Sequence, residues 1–386
     1  MRMEKRASER RDYAPAASRP HHLLLATGEA GIASQLKDWV ENDPQFGLAV
    51  VRTGRQLLRR LAHETPDLIL CDLALPGADG ITVLRQLRPP APPVVMLSAA
   101  TQEAARAATE ALRSGAADYV IKKGQGGESR LTITPAMLRR RLLRHLERPS
   151  ALRDRRVCGE WLRLLPEGSR RRWQPSDSRA VFPAHAGWTG FVLASPAAIG
   201  ALLRSLAEAP QRPGGAMLLQ VPQPLCYSRA LAEAATRHWN RLVLEYVEQE
   251  TLRSGQWRIL PGRTLLAPGS RAAGREARRD TGRGGWHRTI NRISDPEAAL
   301  RRQIALLGGA TESVRLYLFD PPCDEAVAML QSLVDRGHAV CAHAGCLATA
   351  AEPRMARAPV VERSDPRRWL SSRPTVGLEA GLRRVR

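Results

Sequence analysis

The sequence has few of the features that mark secreted, membrane or disulfide-bonded proteins. Its 386 residues contain no uninterrupted apolar run near the roughly 18 residues that a membrane span requires. The charged start, MRMEKRASERRDY, has no apolar stretch behind it of the kind found in secretory signals. Six cysteines are spread along the chain without a CxxC pair. We therefore expect reduced thiols in the cytoplasm, with neither a disulfide framework nor membrane insertion.

Lysine and aromatic residues are also scarce, although the net charge is +21. The excess is arginine, and it is concentrated locally: residues 139–172 hold twelve arginines and residues 271–292 hold seven. Sequence-specific recognition of nucleic acid also requires aromatic side chains that stack on bases or a recognition helix. Aromatic residues make up only 4% of the chain. Solvated linkers are the favoured explanation, and a basic nucleic-acid-binding regulator is kept as an alternative.

The first folded region shows regular alternation of short apolar runs and segments of helical period. Residues 1–20 are expected to be a disordered leader, and a domain follows over 21–147. Alternation of this kind predicts a parallel sheet covered on both faces, as in a flavodoxin-like doubly wound domain. The five predicted strands are 22–26, 48–51, 67–72, 93–97 and 118–121.

A second folded region follows a segment rich in arginine, tryptophan and proline. Residues 148–188 are interpreted as a basic linker between domains. Periodicity returns over 189–357, broken by an arginine-rich loop at 270–288, and 358–386 form a basic tail. The fold class is therefore α/β, with two doubly wound, mostly parallel-sheet domains, the second of Rossmann-like type.

Three polar residues stand at the ends of predicted strands in the first domain. Asp72 ends PDLILCD, Ser98 ends VVMLS and Lys122 ends DYVIK. The carboxyl ends of parallel strands meet at one edge of a sheet, so these side chains should share a crevice. The trio suits an aspartyl phosphate, and these blocks resemble the receiver domain of two-component response regulators. The resemblance implies that Asp72 is the phosphoacceptor and that Ser98 and Lys122 bind the phosphoryl group.

The same resemblance implies an acidic pair after the first strand that holds Mg²⁺, and the sequence departs from it there. Those positions are Ala26 and Thr27, with Glu29 a little beyond. A single carboxylate is a poor Mg²⁺ site on its own, so we favour a structural ion pair of Asp72 with Lys122 and keep Mg²⁺ binding at Asp72 as the alternative. The close cysteines and histidines of 338–346 are attributed to strand packing rather than to zinc.

Four blocks of the second domain carry a further resemblance. They are GFVLASPAAIGALLRSL, PGRTLLAPGSR (expected to be a tight hairpin over 261–271), LYLFDPPCDEAVAML and GHAVCAHAGCLATAAEPRM. Together they resemble the catalytic domain of CheB, the chemotaxis protein-glutamate methylesterase, whose layout also begins with a receiver and a linker. The resemblance implies a role in chemotaxis or pilus motility. It also implies methyl-accepting chemoreceptors and a chemosensory histidine kinase as partners, and a Ser–His–Asp triad that includes Ser195 and Asp324.

The histidine of that triad is missing from its expected place. The family's Gln-His-Met-Pro block corresponds here to Gln220, Val221 and Pro222, and valine cannot relay a proton. Pro196 after Ser195 also removes an N–H from a possible oxyanion hole. We therefore expect weak or no catalysis, with Ser195 as a helix N-cap and the protein acting by docking. The alternative is a working esterase with a displaced histidine, for which the candidates are His185, His238, His287 and His343.

Overall fold

The computed structural model shows two α/β domains built on separate sheets. The described residues are 19–88, 91–124, 128–146, 161–164, 188–208, 215–247, 252–262, 264–268, 286–290, 296–310, 313–319, 324–336, 338–343 and 361–364. Most of the expected leader, most of the linker and most of the tail lie outside these residues. Within them no helix has the length and apolar character needed to cross a membrane.

The first domain has a six-stranded sheet in the order β2-β1-β3-β4-β5-β6, parallel except for β6. This order confirms the predicted flavodoxin-like topology. Its elements are β1 (His21–Ala26), α1 (Ala30–Glu41), β2 (Phe46–Val51), α2 (Gly54–Leu61), β3 (Leu68–Asp72), α3 (Gly80–Gln86), β4 (Val94–Ala99), α4 (Gln102–Arg113), β5 (Asp118–Lys123), β6 (Arg130–Leu131) and α5 (Pro135–Leu146).

The sequence explains why these elements form. The central strand β3 is an apolar run that ends in Asp72, and all its residues are buried, as expected for a strand covered on both faces. Three of the helices begin with a side-chain cap: Thr53, Asp79 and Thr101 each accept a hydrogen bond from the backbone N–H three residues later. The turn after β3 is tight, because a Cβ on Gly80 would lie 2.5 Å from the Asp72 carbonyl oxygen.

The second domain has an eight-stranded sheet in the order β10-β11-β9-β8-β14-β15-β7-β16. Its strands are parallel from β10 to β15, and β7 and β16 add an antiparallel edge. Its elements are β7 (Trp161–Leu164), β8 (Trp188–Leu193), α6 (Ile199–Ser205), β9 (Ala216–Gln220), α7 (Leu225–Trp239), β10 (Val243–Glu245), β11 (Trp257–Ile259), β12 (Thr264–Pro268), β13 (Trp286–Ile290), α8 (Pro296–Leu307), β14 (Ser313–Leu318), α9 (Asp324–Asp335), β15 (Ala339–His343) and β16 (Val361–Ser364). The strands of this sheet that follow β8 in the chain are added first on one side of it, and from β14 onward on the other side. A ligand site is expected at the carboxyl ends of β8 and β14, where the strand order reverses.

The structure differs from the sequence-based organisation at three places. The hairpin expected over 261–271 does not form within that segment, because β12 pairs instead with β13 across residues 269–285. Strand β13 thus takes up the end of the loop expected over 270–288. The presumed linker contains β7 and the presumed tail contains β16, and these two strands pair with each other.

The two domains share one continuous apolar core. Helix α4 of the first domain packs against α6 and α7 of the second, and buried side chains from both sheets form a single cluster. Gly200 in α6 allows the closest approach, since a Cβ there would lie 2.5 Å from the Leu112 carbonyl oxygen. The Ala-rich inner face of α4 is buried, which places the helix backbones close together.

Candidate functional site

The three polar residues predicted to meet in the first domain do lie at one edge of its sheet. Asp72, with 1% of its surface exposed, is the last residue of β3. One carboxylate oxygen, Oδ2, accepts hydrogen bonds from Lys122 Nζ (2.5 Å) and Thr27 Oγ1 (3.1 Å). The other, Oδ1, accepts from the Ala74 backbone N–H at 3.1 Å. Lys122 Nζ also lies 2.7 Å from Glu29 Oε1, so one ammonium bridges two carboxylates.

The groups present at this edge do not fit Mg²⁺. The ion requires near-octahedral oxygen ligands, usually with one or two carboxylates. Ala26 and Thr27 supply no carboxylate, and the ammonium of Lys122 occupies the place between the two that remain, Asp72 and Glu29. The described residues contain no group of three or more metal-ligating side chains that could hold a metal ion.

Ser98, the third residue of the predicted trio, is fully buried and contacts the second domain. Its hydroxyl donates to the Ala104 carbonyl oxygen at 3.2 Å. The hydroxyl of Tyr227, at the start of α7, donates to Ser98 Oγ at 2.6 Å and lies 2.9 Å from the Ala99 carbonyl oxygen. Burial raises the pKa of Tyr227, so its hydroxyl keeps its proton at neutral pH.

The second candidate site lies at the carboxyl edge of the second sheet. Ser195 follows β8, has 2% of its surface exposed, and precedes a 3-10 turn over Pro196–Ala198 that leads into α6. The Ala198 backbone N–H donates to the Ser195 carbonyl oxygen, but the Ser195 side chain makes no capping hydrogen bond. The structure therefore does not support our interpretation of this side chain as a helix cap.

The block expected to carry the histidine lies next to Ser195. Leu193 and Gln220 are register partners on β8 and β9, and the Ala194 backbone N–H donates to the Gln220 carbonyl oxygen at 3.1 Å. Val221 follows Gln220 and is 1% exposed, within the apolar cluster shared by the two domains. The side chain at position 221 thus stands one strand away from Ser195 at the same sheet edge.

Two further loops close this edge. Gln220 Nε2 donates to the Thr264 carbonyl oxygen at 3.1 Å, which links the end of β9 to the start of β12. The Gly262 backbone N–H donates to Ser228 Oγ at 2.8 Å, which links the preceding turn to α7. Gly262 has φ +60°, a conformation that favours glycine.

The first domain covers the same edge. Strand β5 packs against the turn over Pro196–Ala198. The Tyr119 hydroxyl donates to Gln223 Oε1 at 2.8 Å, and both residues are buried. Burial raises the pKa of Tyr119, so this phenol also stays protonated. Tyr119 and Tyr227 stack with ring centroids 4.7 Å apart and planes 8° from parallel.

The remaining predicted site residues are placed less fully. Asp324 is the first residue of α9, and the segment before it lies outside the described residues. His238 lies in the last turn of α7, where burial and then Arg113 and Arg204 lower its pKa. That turn is about 20 Å along the helix from the α7 start near Gln223, so His238 is at the opposite end from the edge that holds Ser195. His185 and the side chains of His287 and His343 lie outside the part of the chain that is described.

The sequence-based search missed Tyr119, Tyr227 and Gln223, which make the contacts between the two candidate sites. The available signals were weak. In the sequence, Tyr119 is one of several apolar residues of the strand DYVIK, and Tyr227 stands in no motif of the kind that marks a functional site. Their roles depend on the docking of one domain on the other, which no local pattern records.

Comparison with known protein families supports a receiver in the first domain. The family model of the response regulator receiver domain matches residues 23–133. A response regulator structure from Chloroflexus aurantiacus is 26% identical, covers 33% of this chain and 99% of that one, with a TM-score of 0.29.

Longer similarities are to protein-glutamate methylesterases/protein-glutamine glutaminases. The chain is 28% identical over 260 residues to a protein-glutamate methylesterase/protein-glutamine glutaminase of Rhizobium johnstonii, covering 64% of this chain and 68% of that one. A protein of the same name from Pyrococcus abyssi is 25% identical over 250 residues, covering 64% and 65%. One from Cereibacter sphaeroides is 26% identical over 254 residues, covering 64% and 61%. The chain thus spans about two thirds of the length of these relatives, and it combines a receiver domain with a methylesterase-like region.

Proposed function

We propose that this protein is a chemosensory signalling protein of the CheB type that works by docking to receptor or kinase components in the cytoplasm, with little or no ester hydrolysis. The receiver match and the similarity to methylesterases/glutaminases support the first half of this proposal. The observation that carries the second half is Val221, buried one strand away from Ser195 where the related enzymes are expected to place a histidine.

The chemistry of ester hydrolysis explains why this position matters. A serine hydroxyl is a weak nucleophile until a neighbouring base takes its proton, and an isopropyl side chain has no lone pair to do so. Removing one member of a cooperating triad typically lowers turnover by about four to six powers of ten. Ser195 would retain only the positioning that the sheet edge provides.

The receiver half of the proposal rests on the Asp72 network. Phosphoryl transfer needs a divalent cation to offset the charge on the phosphoryl oxygens, and the residues at this edge do not fit one. Lys122 instead pairs with both Asp72 and Glu29. We therefore propose a receiver that holds a fixed conformation and serves as a docking module.

Release of methanol from a receptor fragment bearing methyl-esterified glutamates tests the proposal. Wild type and Ser195→Ala should give the same low rate, and Ser205→Ala, a change at another buried serine of the same segment, is the matched control. A rate that falls at least tenfold in Ser195→Ala alone would instead establish the alternative function, an active protein-glutamate methylesterase. The position of Ser195 at the switch point of the sheet is what favours that alternative.

Binding of the same receptor fragment, and of a chemosensory kinase, tests the docking half. Wild type and Ser195→Ala should bind equally in a surface-immobilised assay. If neither component binds at micromolar concentration, docking is not the function. Incubation with acetyl phosphate and Mg²⁺ should leave Asp72 unmodified, and a stable adduct on Asp72 would overturn the proposal for the receiver.

A further inference from the structure

Two tyrosines form the centre of the contact between the domains. Tyr119 on β5 and Tyr227 on α7 stack face to face, and each is almost wholly buried. Stacked aromatic pairs of this kind stabilise a contact by more than the burial of their apolar surface alone would. Here the pair joins the last parallel strand of the first sheet to a helix of the second domain, so neither ring would stay buried if the domains separated.

Each tyrosine also donates a hydrogen bond across the boundary. Tyr119 donates to Gln223 in the second domain, and Tyr227 donates to Ser98 in the first. Each domain therefore donates one of these two hydrogen bonds to the other domain. Separation of the domains would leave both donors and their acceptors to be resolvated together.

The backbone contact behind the rings is equally close. Gly200 of α6 meets the Leu112 carbonyl oxygen at the end of α4 with no room for a side chain. At the exposed rim, Arg106 Nε and Nη2 of α4 bond the two carboxylate oxygens of Glu233 on α7, at 2.7 and 3.0 Å. Helix α4 is thus held by the second domain at Arg106 in its second turn, at Leu112 near its end and along its buried face.

We infer that the Tyr227 side chain acts as a clasp: its hydrogen bond to Ser98 lets the second domain hold Ser98 and the adjoining β4–α4 connection of the receiver. The two domains therefore open together in one cooperative step, and neither opens alone. The hydroxyl of Ser98 accepts from Tyr227 while it donates to the Ala104 carbonyl oxygen, so the clasp fixes the connection as well as the side chain. This assigns the second domain a role as an intramolecular ligand of the receiver. It does not depend on whether the protein hydrolyses esters or binds receptors.

Hydrogen–deuterium exchange on the full chain tests the clasp. Tyr227→Phe keeps the stacked ring and removes the donor. It should raise exchange about tenfold for backbone amides of β4 and α4, because the loss of one buried hydrogen bond is typically worth about that factor. Tyr119→Phe, which removes the opposite donor, should raise exchange in the same segments. In wild type, the slowest amides of α4 and of α7 should exchange at the same rate.

The matched control is Tyr246→Phe, which removes a buried hydroxyl that donates to the Trp286 carbonyl oxygen wholly inside the second domain. It should change exchange in β4 and α4 by less than twofold. The inference is overturned if Tyr227→Phe affects β4 and α4 no more than Tyr246→Phe does. It is also overturned if, in wild type, the slowest backbone amides of α4 exchange while those of α7 remain protected.

Discussion

Lys122 Nζ lies 2.5 Å from Asp72 Oδ2, and the same ammonium lies 2.7 Å from Glu29 Oε1. Asp72 and Lys122 are both buried, and Glu29 is partly so. Burying a charge without an opposite charge beside it costs free energy of folding. A buried ion pair therefore stays together largely because its separation would leave each charge buried without a partner. The first domain thus carries a built-in counter-ion at the edge where its strands end.

Lys122→Met tests the energetic weight of this counter-ion. We expect the free energy of unfolding to fall by about 3 kcal/mol, because removing one partner of a buried ion pair strands the other. Urea unfolding at neutral pH measures the change.

Lys123→Met is the matched control, since it removes the same group from the next residue, whose side chain is exposed. It should change the free energy of unfolding by less than about 0.5 kcal/mol. Equal losses in the two variants would show that Lys122 has no special role in holding Asp72.

Restoring an imidazole at position 221 tests the proposed loss of catalysis. Val221→His would place a base one strand away from Ser195, at the same sheet edge. We expect methanol release to rise at least tenfold over wild type, because a neighbouring base activates a serine. The double variant Val221→His/Ser195→Ala should return to the wild-type rate. If both variants release methanol equally, the gain does not come from Ser195.

Gly200→Ala tests the close approach of the two domains. A methyl group there would meet the Leu112 carbonyl oxygen at 2.5 Å, so α4 and α6 would have to move apart. We expect a loss of about 2 kcal/mol in the free energy of unfolding, despite the better helix propensity of alanine.

Gly47→Ala is the control for this change, because a Cβ on Gly47 in β2 would meet nothing within 4 Å. That variant should be neutral or slightly stabilised in thermal unfolding, since alanine reduces the freedom of the unfolded chain. A loss of stability as large as that of Gly200→Ala would mean that the contact with Leu112 is not the cause.

Much of the fold follows from local patterns in the sequence. The five parallel strands of the first sheet are predicted within two residues, because buried parallel strands are unbroken apolar runs with turn residues at their ends. The sixth strand, the two-residue antiparallel β6, is not predicted. The placement of Asp72, Ser98 and Lys122 at one edge of the sheet follows from the same reasoning, since the carboxyl ends of parallel strands share one edge. The contacts of Ser98 are with Ala104 and Tyr227 and not with the other two residues.

The strands that escaped prediction have no such signature. Strands β7 and β16 are short, contain arginine or glutamate, and form an antiparallel edge, so their sequences resemble connections. The contact between the domains was also beyond local patterns. It depends on which helix faces meet, and Gly200 or Tyr227 alone does not reveal that.

The acid stability of the first domain should depend on Asp118, a buried carboxylate that begins β5. Arg141 Nε donates to Asp118 Oδ2 at 2.9 Å, and His145 Nε2 lies 3.3 Å from the same oxygen. Burial opposes ionisation of this carboxyl, but Arg141 and His145 outweigh it and hold the pKa of Asp118 below its usual value. A carboxyl whose pKa is lower in the folded than in the unfolded state stabilises the fold above its unfolded pKa, near 4, and that stabilisation is lost as the pH falls further.

Asp118→Asn should therefore lower the free energy of unfolding by about 3 kcal/mol at pH 7, because it leaves Arg141 without its buried counter-ion. The difference from wild type should shrink steadily as the pH falls from 4 toward 3, since the wild-type carboxyl then takes up protons on unfolding. Urea unfolding at pH 7, 5, 4 and 3 measures it, with the exposed Asp38→Asn as the control, which should follow wild type throughout. A gap between Asp118→Asn and wild type that stays constant with pH would mean that Asp118 stabilises the domain by packing or neutral hydrogen bonding and not through its charge.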